Sequence, residues 1–343
     1  AGVLPVLVQE SSVPVTLGRS HLMEFYCGYT RSIVDQAATG QLDGFDAFLL
    51  VDHCVALLGA ADSLRHQLPG TPVYLAQFPA SLDEDSARLE VAQKIGDLRV
   101  FIERSSGVEV TDSAIARSIA LYNRNRQLQR QVFDLRRDGH AMISPAQVRA
   151  MIKSSMVMDV EEHTELVAAL LERLQDTKAQ STSQVRLHLS GHFCHAPRRT
   201  LLDAIEASGA TVIDDDLYAG FRFVSTDVRE TGDPAAALAE WYFDRNDAAP
   251  CATRAQKDAD WEDFLVDSVA KSGAQGIIVL LPKFCEPHML YFPELKKAFE
   301  RNRIPYLFIE TELEGQAIAA VQTRVEALVE QIGQSQRALA LPA

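Results

Sequence analysis

Two short apolar runs, each leading into a cysteine, constrain this chain more than any other feature. Ile277-Ile278-Val279-Leu280-Leu281 gives way to Pro282-Lys283-Phe284-Cys285, and Ala47-Phe48-Leu49-Leu50-Val51 gives way to Asp52-His53-Cys54. A strand buried on both faces reads as a continuous apolar run, and such strands belong to parallel sheets covered by helices. Ligands of open sheets of this class gather beyond the carboxyl ends of the strands. Cysteines far apart in sequence can therefore meet in one pocket. Cys27 ends the stretch 21–27 just before a predicted helix and has a comparable placement. Three thiols in one pocket point to a metal or an iron–sulfur cluster.

The remaining pattern extends that reading. A length of 343 residues exceeds one ordinary core and predicts two or three domains. The first part alternates strand and helix signals: an apolar run at 3–9, a helix at 28–38, a strand at 45–51, a helix at 55–67 and a strand at 71–78. Ser81 and Glu84 have the spacing of a capping box that opens a helix to about 105. The middle shows no clear strand. Thr111 caps a helix to 137, Ser144-Pro145 opens a second, and a third covers 161–175. Alternation then returns, with strands at 185–190, 211–214, 276–284 and 305–310. The helices between and after them are predicted at 196–209, 234–243, 254–272, from Phe292-Pro293 to 301, and at 315–333. The predicted fold class is α/β, with two Rossmann-like (flavodoxin-like) parallel-sheet domains. The expected parts are an N-terminal α/β domain at 1–110, a helical connector at 111–180 and a C-terminal α/β domain at 181–343.

Charge and cysteine usage narrow the function. A net charge of −14 argues against a nucleic-acid partner, which requires a basic face. No apolar stretch approaches the ~20 residues that span a bilayer, and no secretory signal is visible. The chain begins at Ala1 without an initiator Met, so an upstream segment is expected. Five scattered cysteines do not form a secreted disulfide framework, and a reduced, cytoplasmic setting is expected.

Closely spaced C-x2-C patterns are absent, and a packed thiol is the plain alternative for any single cysteine. His53 and Lys283 stand beside two of the three cysteines and are candidate hydrogen-bond or proton donors; a structural histidine and a charge-neutralising lysine are the plain alternatives. His192-Phe193-Cys194-His195 follows a strand and has metal-ligand chemistry, but a strand-to-helix loop, with Pro197 opening the next helix, is the preferred reading. Cys251 reads as packing or a pocket wall. Glu310 and Glu312 end a strand, where a buried carboxylate serves acid–base chemistry, against capping or a bond to Arg324. Asp214-Asp215-Asp216 reads as a solvated turn rather than a Mg²⁺ site.

The ordered series of local motifs adds a resemblance. Phe25-Tyr26-Cys27-Gly28-Tyr29-Thr30-Arg31-Ser32, Val51-Asp52-His53-Cys54, Phe78-Pro79, Ile205-Glu206-Ala207-Ser208-Gly209-Ala210-Thr211-Val212-Ile213-Asp214-Asp215, Gly220-Phe221-Arg222, Pro250-Cys251, Lys283-Phe284-Cys285 and Ile304-Pro305-Tyr306-Leu307-Phe308-Ile309-Glu310-Thr311-Glu312 follow one another. In this order they resemble the benzoyl-CoA reductase / 2-hydroxyacyl-CoA dehydratase family, in its cluster-carrying catalytic subunits, over nearly the whole chain. The resemblance implies a [4Fe-4S] cluster held by Cys27, Cys54 and Cys285, with one iron open to a non-protein ligand. It implies a homologous second catalytic subunit, an ATP-hydrolysing activator fed by ferredoxin, and an acyl-CoA substrate. The expected function is that of a catalytic subunit of an ATP-dependent benzoyl-CoA reductase, an oxidoreductase that dearomatises an aromatic acyl-CoA. His53 and Glu310 are the candidate catalytic residues. Alternatives are a 2-hydroxyacyl-CoA dehydratase subunit, a lyase, or a cluster-bearing electron-relay subunit without its own turnover. A zinc-containing α/β binding protein is a further alternative from the residues alone.

Overall fold

Strands of four to seven residues alternate with helices along much of the chain. In the computed structural model, residues 2–139, 143–175, 184–191, 195–315 and 317–340 are described, the side chains of 175 and 338–340 excepted. In chain order the elements are α1 (Gly18–His21), α2 (Gly28–Ala38), β1 (Phe48–Val51), α3 (Val55–Gln67), β2 (Val73–Ala76), α4 (Asp85–Ser106), α5 (Asp112–Arg137), α6 (Pro145–Ser155) and α7 (Val160–Gln175). There follow β3 (Val185–Gly191), α8 (Arg199–Ala207), β4 (Ala210–Asp215), α9 (Phe221–Val224), α10 (Pro234–Ala248), α11 (Trp261–Ser272), β5 (Gly276–Pro282), α12 (Glu286–Arg301), β6 (Tyr306–Thr311) and α13 (Ile318–Ala340). All the strands pair in parallel, β1 with β2 and the others in the order β4-β3-β5-β6. The α/β class with parallel sheets is thus observed.

The chain forms two compact units, and neither is one stretch of sequence. The first takes Ala1–Asn123, Thr226–Ala259 and Lys283–Pro287; the second takes Arg124–Ser225, Asp260–Pro282 and His288–Ala343. This differs from the contiguous three-part division expected from the sequence. The reason is packing: the apolar face of α4, with Ala87 and Val91, is covered by Ala239 and Phe243 of α10, more than a hundred residues later.

In the first unit β1 pairs with β2 in the register Phe48↔Val73. Ile33, Val34 and Ala37 of α2 and Ala60 and Leu64 of α3 pack with Phe48 into one core. The apolar run 3–9 forms no strand. Its backbone is bonded by side chains of α2 instead: Tyr29 donates to the Val8 carbonyl (2.9 Å) and Gln36 to that of Gln9 (2.9 Å). Buried Asp35 then ties the preceding loop to α2. Its Oδ1 accepts the N–H groups of Thr16 and Gly18, each at 2.8 Å. The expected capping box at Ser81 is also not formed. Glu84 is the N-cap of α4 and makes no side-chain cap bond, while Ser81 pairs with Ala255 in a parallel bridge.

In the second unit β5 lies at the sheet centre with both faces covered. Ile278 and Leu280 point to a core shared with α8 and α13, while Ile277 and Val279, also fully buried, face the other side, as the twofold strand period requires. The order β4-β3-β5-β6 reverses direction between β3 and β5, and right-handed crossovers then put helices on both faces. Helix α12 begins at Glu286, not at Phe292-Pro293 as expected, and carries Pro293 inside it. Its early turns are exposed at Met289 and Leu290, where a missing N–H bond is least costly. The Asp214-Asp215-Asp216 stretch is another departure. It is a buried charge cluster, not a solvated turn, because His188, Arg136, Arg137 and Arg222 surround it.

Candidate functional site

Cys27, Cys54 and Cys285 have the same local environment: each stands at the amino end of a helix. Cys27 is the N-cap of α2 and Cys54 the N-cap of α3, both in extended backbone and neither making a side-chain cap bond. Cys285 immediately precedes the first residue of α12. All three belong to the first unit. The chain reaches Cys285 through Phe284, a non-glycine residue in left-handed backbone (φ 64°). Such a conformation is costly and tends to persist at functional sites. Tyr26, next to Cys27, packs on α3 so closely that a Cβ on Gly59 would lie 2.9 Å from its hydroxyl. Unsatisfied N–H groups and the aligned peptide dipoles place partial positive charge at each of these helix ends, which favours thiolates.

The electrostatics couple the thiols. Burial pushes the Cys54 thiol up from its ordinary range, the charge of Cys27 adds to this, and Cys285 pushes in the same direction. The N–H groups of Ala56 and Leu57 pull the other way. Cys27 is buried, and its Sγ lies 3.2 Å from the Thr30 hydroxyl. Cys54 and Cys285 are half-buried, and none of Cys27, Cys54, Cys251 and Cys285 forms a disulfide. Phe25, Val55 and Phe284, close to the three cysteines in sequence, expose large apolar surface. Among the described residues no group of three or more His, Cys, Asp or Glu side chains is arranged to hold a single metal ion.

His53 donates its backbone N–H to Val51 (2.8 Å). The residue keeps exposed surface. Desolvation, then the Arg254 guanidinium, hold its pKa below the ordinary range, and Arg245 adds to the effect. A histidine in that state suits a neutral hydrogen-bond or proton-accepting role better than that of an acid. Asp52 Oδ1 accepts the Phe78 N–H (3.0 Å) and faces Arg254 at 3.6 Å. Arg254 in turn donates to the Tyr242 hydroxyl (2.6 Å). Cys251 lies nearby, its Sγ 3.1 Å from the Thr253 hydroxyl. Lys283 Nζ sits 6.0 Å from the Phe284 ring centre.

Glu310 and Glu312 are exposed residues of the second unit, and Arg324 donates to the Phe308 carbonyl at 2.6 Å. His192, Phe193 and Cys194 lie outside the described residues; His195 is buried. Sequence reasoning missed Thr30, although a hydroxyl three residues after a helix-capping thiol is a readable signal. It also missed Arg254, for which no local pattern exists, because Asp52 meets it only through tertiary contact.

Known proteins resemble the chain along most of its length. The family described as 2-hydroxyglutaryl-CoA dehydratase, D-component, matches residues 1–332. One benzoyl-CoA reductase subunit, from Thauera aromatica, is 28% identical over 309 residues, covering 90% of this chain and 80% of its own. The (R)-phenyllactyl-CoA dehydratase beta subunit of Clostridium sporogenes is 23% identical over 330 residues, with 96% and 87% covered. The beta subunit of (R)-2-hydroxyglutaryl-CoA dehydratase from Acidaminococcus fermentans is 24% identical over 318 residues, with 92% and 83% covered. These relatives are subunits of multi-subunit acyl-CoA enzymes, and this chain belongs to the 2-hydroxyglutaryl-CoA dehydratase D-component family.

Proposed function

We propose that the chain is the [4Fe-4S]-carrying catalytic subunit of an ATP-dependent benzoyl-CoA reductase, with Cys27, Cys54 and Cys285 as its thiolate ligands. The observation that carries the proposal is geometric: all three cysteines lie in one compact unit, each at a helix amino end. The donor chemistry fits the group, since iron–sulfur clusters are held by cysteine thiolates. A cluster takes its thiolates on different irons, so they need not crowd as the ligands of one ion do. When bound, such a cluster supplies one-electron transfer at low potential.

The chain's own contribution is to orient and shield. Three helix amino ends direct N–H groups towards the thiolates, and burial of Cys27 limits water around its sulfur. His53, whose pKa is lowered by burial and then by Arg254, is the proposed hydrogen-bond donor or proton acceptor beside Cys54. Glu310 remains a candidate acid for the same reaction. The proposed partners are a homologous second subunit, an ATP-hydrolysing activator fed by ferredoxin, and an aromatic acyl-CoA, in the cytoplasm. No helix among the described residues is long and apolar enough to cross a membrane.

The reductase reading is favoured by the 28% identity to the benzoyl-CoA reductase subunit of Thauera aromatica. A dehydratase reading is favoured by the relatives that are dehydratase beta subunits, at 23% and 24%. The test is anaerobic purification with iron and labile-sulfide analysis, followed by assays with the partner subunit, activator and reductant. Wild-type protein is expected to hold iron and sulfide in equal amounts. Cys27→Ala, Cys54→Ala and Cys285→Ala should each lose most of it, and Cys251→Ala should keep it. Benzoyl-CoA should give a cyclic diene. Water loss from a 2-hydroxyacyl-CoA without diene formation would replace the reductase with the dehydratase, and zinc without iron or sulfide would end both.

A further inference from the structure

We infer that Thr30 tunes the reduction potential of the group held at Cys27, through a hydrogen bond from its hydroxyl to the Cys27 sulfur; this rests on the cluster reading above. Thr30 is the third residue of α2, one turn after the N-cap Cys27. An N-cap side chain ordinarily takes a backbone N–H of the first turn. The Cys27 side chain makes no such bond, and its Sγ lies 3.2 Å from Thr30 Oγ1. Thr30 is 1% exposed, so water does not compete for its hydroxyl, and a buried hydroxyl requires a partner. With Cys27 as a thiol either atom can donate. A metal-bound thiolate carries no proton, so the direction is then settled: the threonine O–H donates and the sulfur accepts.

The consequence follows from charge. Reduction adds negative charge that is shared with the ligand sulfurs. A hydrogen bond to sulfur is therefore stronger in the reduced state than in the oxidised state, and it raises the potential. Thr30 is a positioning residue, since it acts through Cys27. Valine has the same shape and packs in the same place, but it has no O–H to give. A purely structural role would be indifferent to that exchange at the level of the potential.

The experiment is a redox titration of the anaerobically purified protein, read by electron paramagnetic resonance, alongside iron and sulfide analysis and thermal melting. Thr30→Val and Thr30→Ala are the deletions, so that one misfolding variant does not decide the outcome; Thr30→Ser keeps the hydroxyl. Both deletions should lower the midpoint potential at wild-type iron content, and Thr30→Ser should restore it. A tenfold loss of preference for the reduced state reads as ~59 mV for a one-electron couple. If the deletions leave the potential of a cluster-bearing protein unmoved, or only lower the melting temperature, the inference is wrong while the cluster reading stands. Full cluster content in Cys27→Ala overturns the inference and the Cys27 assignment together. Absence of iron and sulfide from the wild type overturns the inference with the whole cluster reading.

Discussion

His188 sits in β3 at 1% exposure between two carboxylates, Asp214 Oδ2 at 3.4 Å from Nδ1 and Asp216 Oδ1 at 3.7 Å from Nε2. Burial alone disfavours its charge, but the two aspartates overcome this and raise its pKa to about 9. Asp216 is 0% exposed and accepts from Trp261 Nε1 (3.0 Å) and Arg222 (2.9 Å). Burial pushes its carboxyl up, yet His188 and Arg222 bring it down to about 2. The signs define a window. His188 is raised in the folded state, so its stabilisation is full below its unfolded value of 6.5 and is lost as pH rises through about 9. Asp216 is depressed, so its stabilisation is present above 3.8 and lost as pH falls through about 2. Asp215 opposes them: burial raises it to about 6, so its contribution falls as pH climbs from 3.8 through that value. We expect His188→Asn to abolish the alkaline loss between pH 6.5 and 9, measured as urea midpoints across that range. Asp216→Ala should cost ~3–5 kcal/mol, because it leaves buried cations without their counter-charge. None of this was legible locally, since three consecutive aspartates look solvated until a strand from elsewhere supplies the histidine.

At the scale of elements, the join between β3 and β5 depends on Gly191. It has φ +94°, and a Cβ there would fall 2.0 Å from the Leu280 carbonyl oxygen. Gly232 has a similar φ, +85°, with nothing within 4 Å of the same position. Gly191→Ala is expected to lose more than ~2 kcal/mol, and Gly232→Ala ~1 kcal/mol, from the backbone conformation alone. Denaturant midpoints at unchanged slope would separate the two, and equal losses would mean that the close approach has no energetic weight. Helices α2 and α3 begin and end where the sequence pattern puts them, because apolar spacing and the polar residues before each helix are local signals. Helix α12 starts early because the turn at Phe284, not Pro293, ends the strand segment. The Thr111 and Ser144 caps are present as expected, Thr111 accepting from Ala114 (3.2 Å) and Ser144 sharing a capping box with Gln147.

At the scale of the molecule, the first unit is closed by chain that arrives late. Ala239 and Phe243 cover α4, and Val228 and Ala237 pack on Ile119 of α5. A fragment ending at 123 therefore leaves two apolar clusters open. We expect that fragment to bind a hydrophobic dye and to melt without cooperativity, whereas the full chain melts cooperatively; a cooperatively melting fragment would show that 226–259 is dispensable. Many strand and helix identities, the parallel class of the sheets and the position of Cys54 and Cys285 just beyond strands were determined by the sequence itself, because apolar periodicity and turn residues act over a few positions. Tertiary structure alone decided which cysteines feel each other's charge, that the aspartate run is buried against His188, that the run 3–9 is bonded by α2 rather than by a sheet, and that each unit is assembled from separated stretches of chain. Those outcomes depend on contacts between residues tens to hundreds of positions apart, where burial and charge pairing are settled only once the chain has folded.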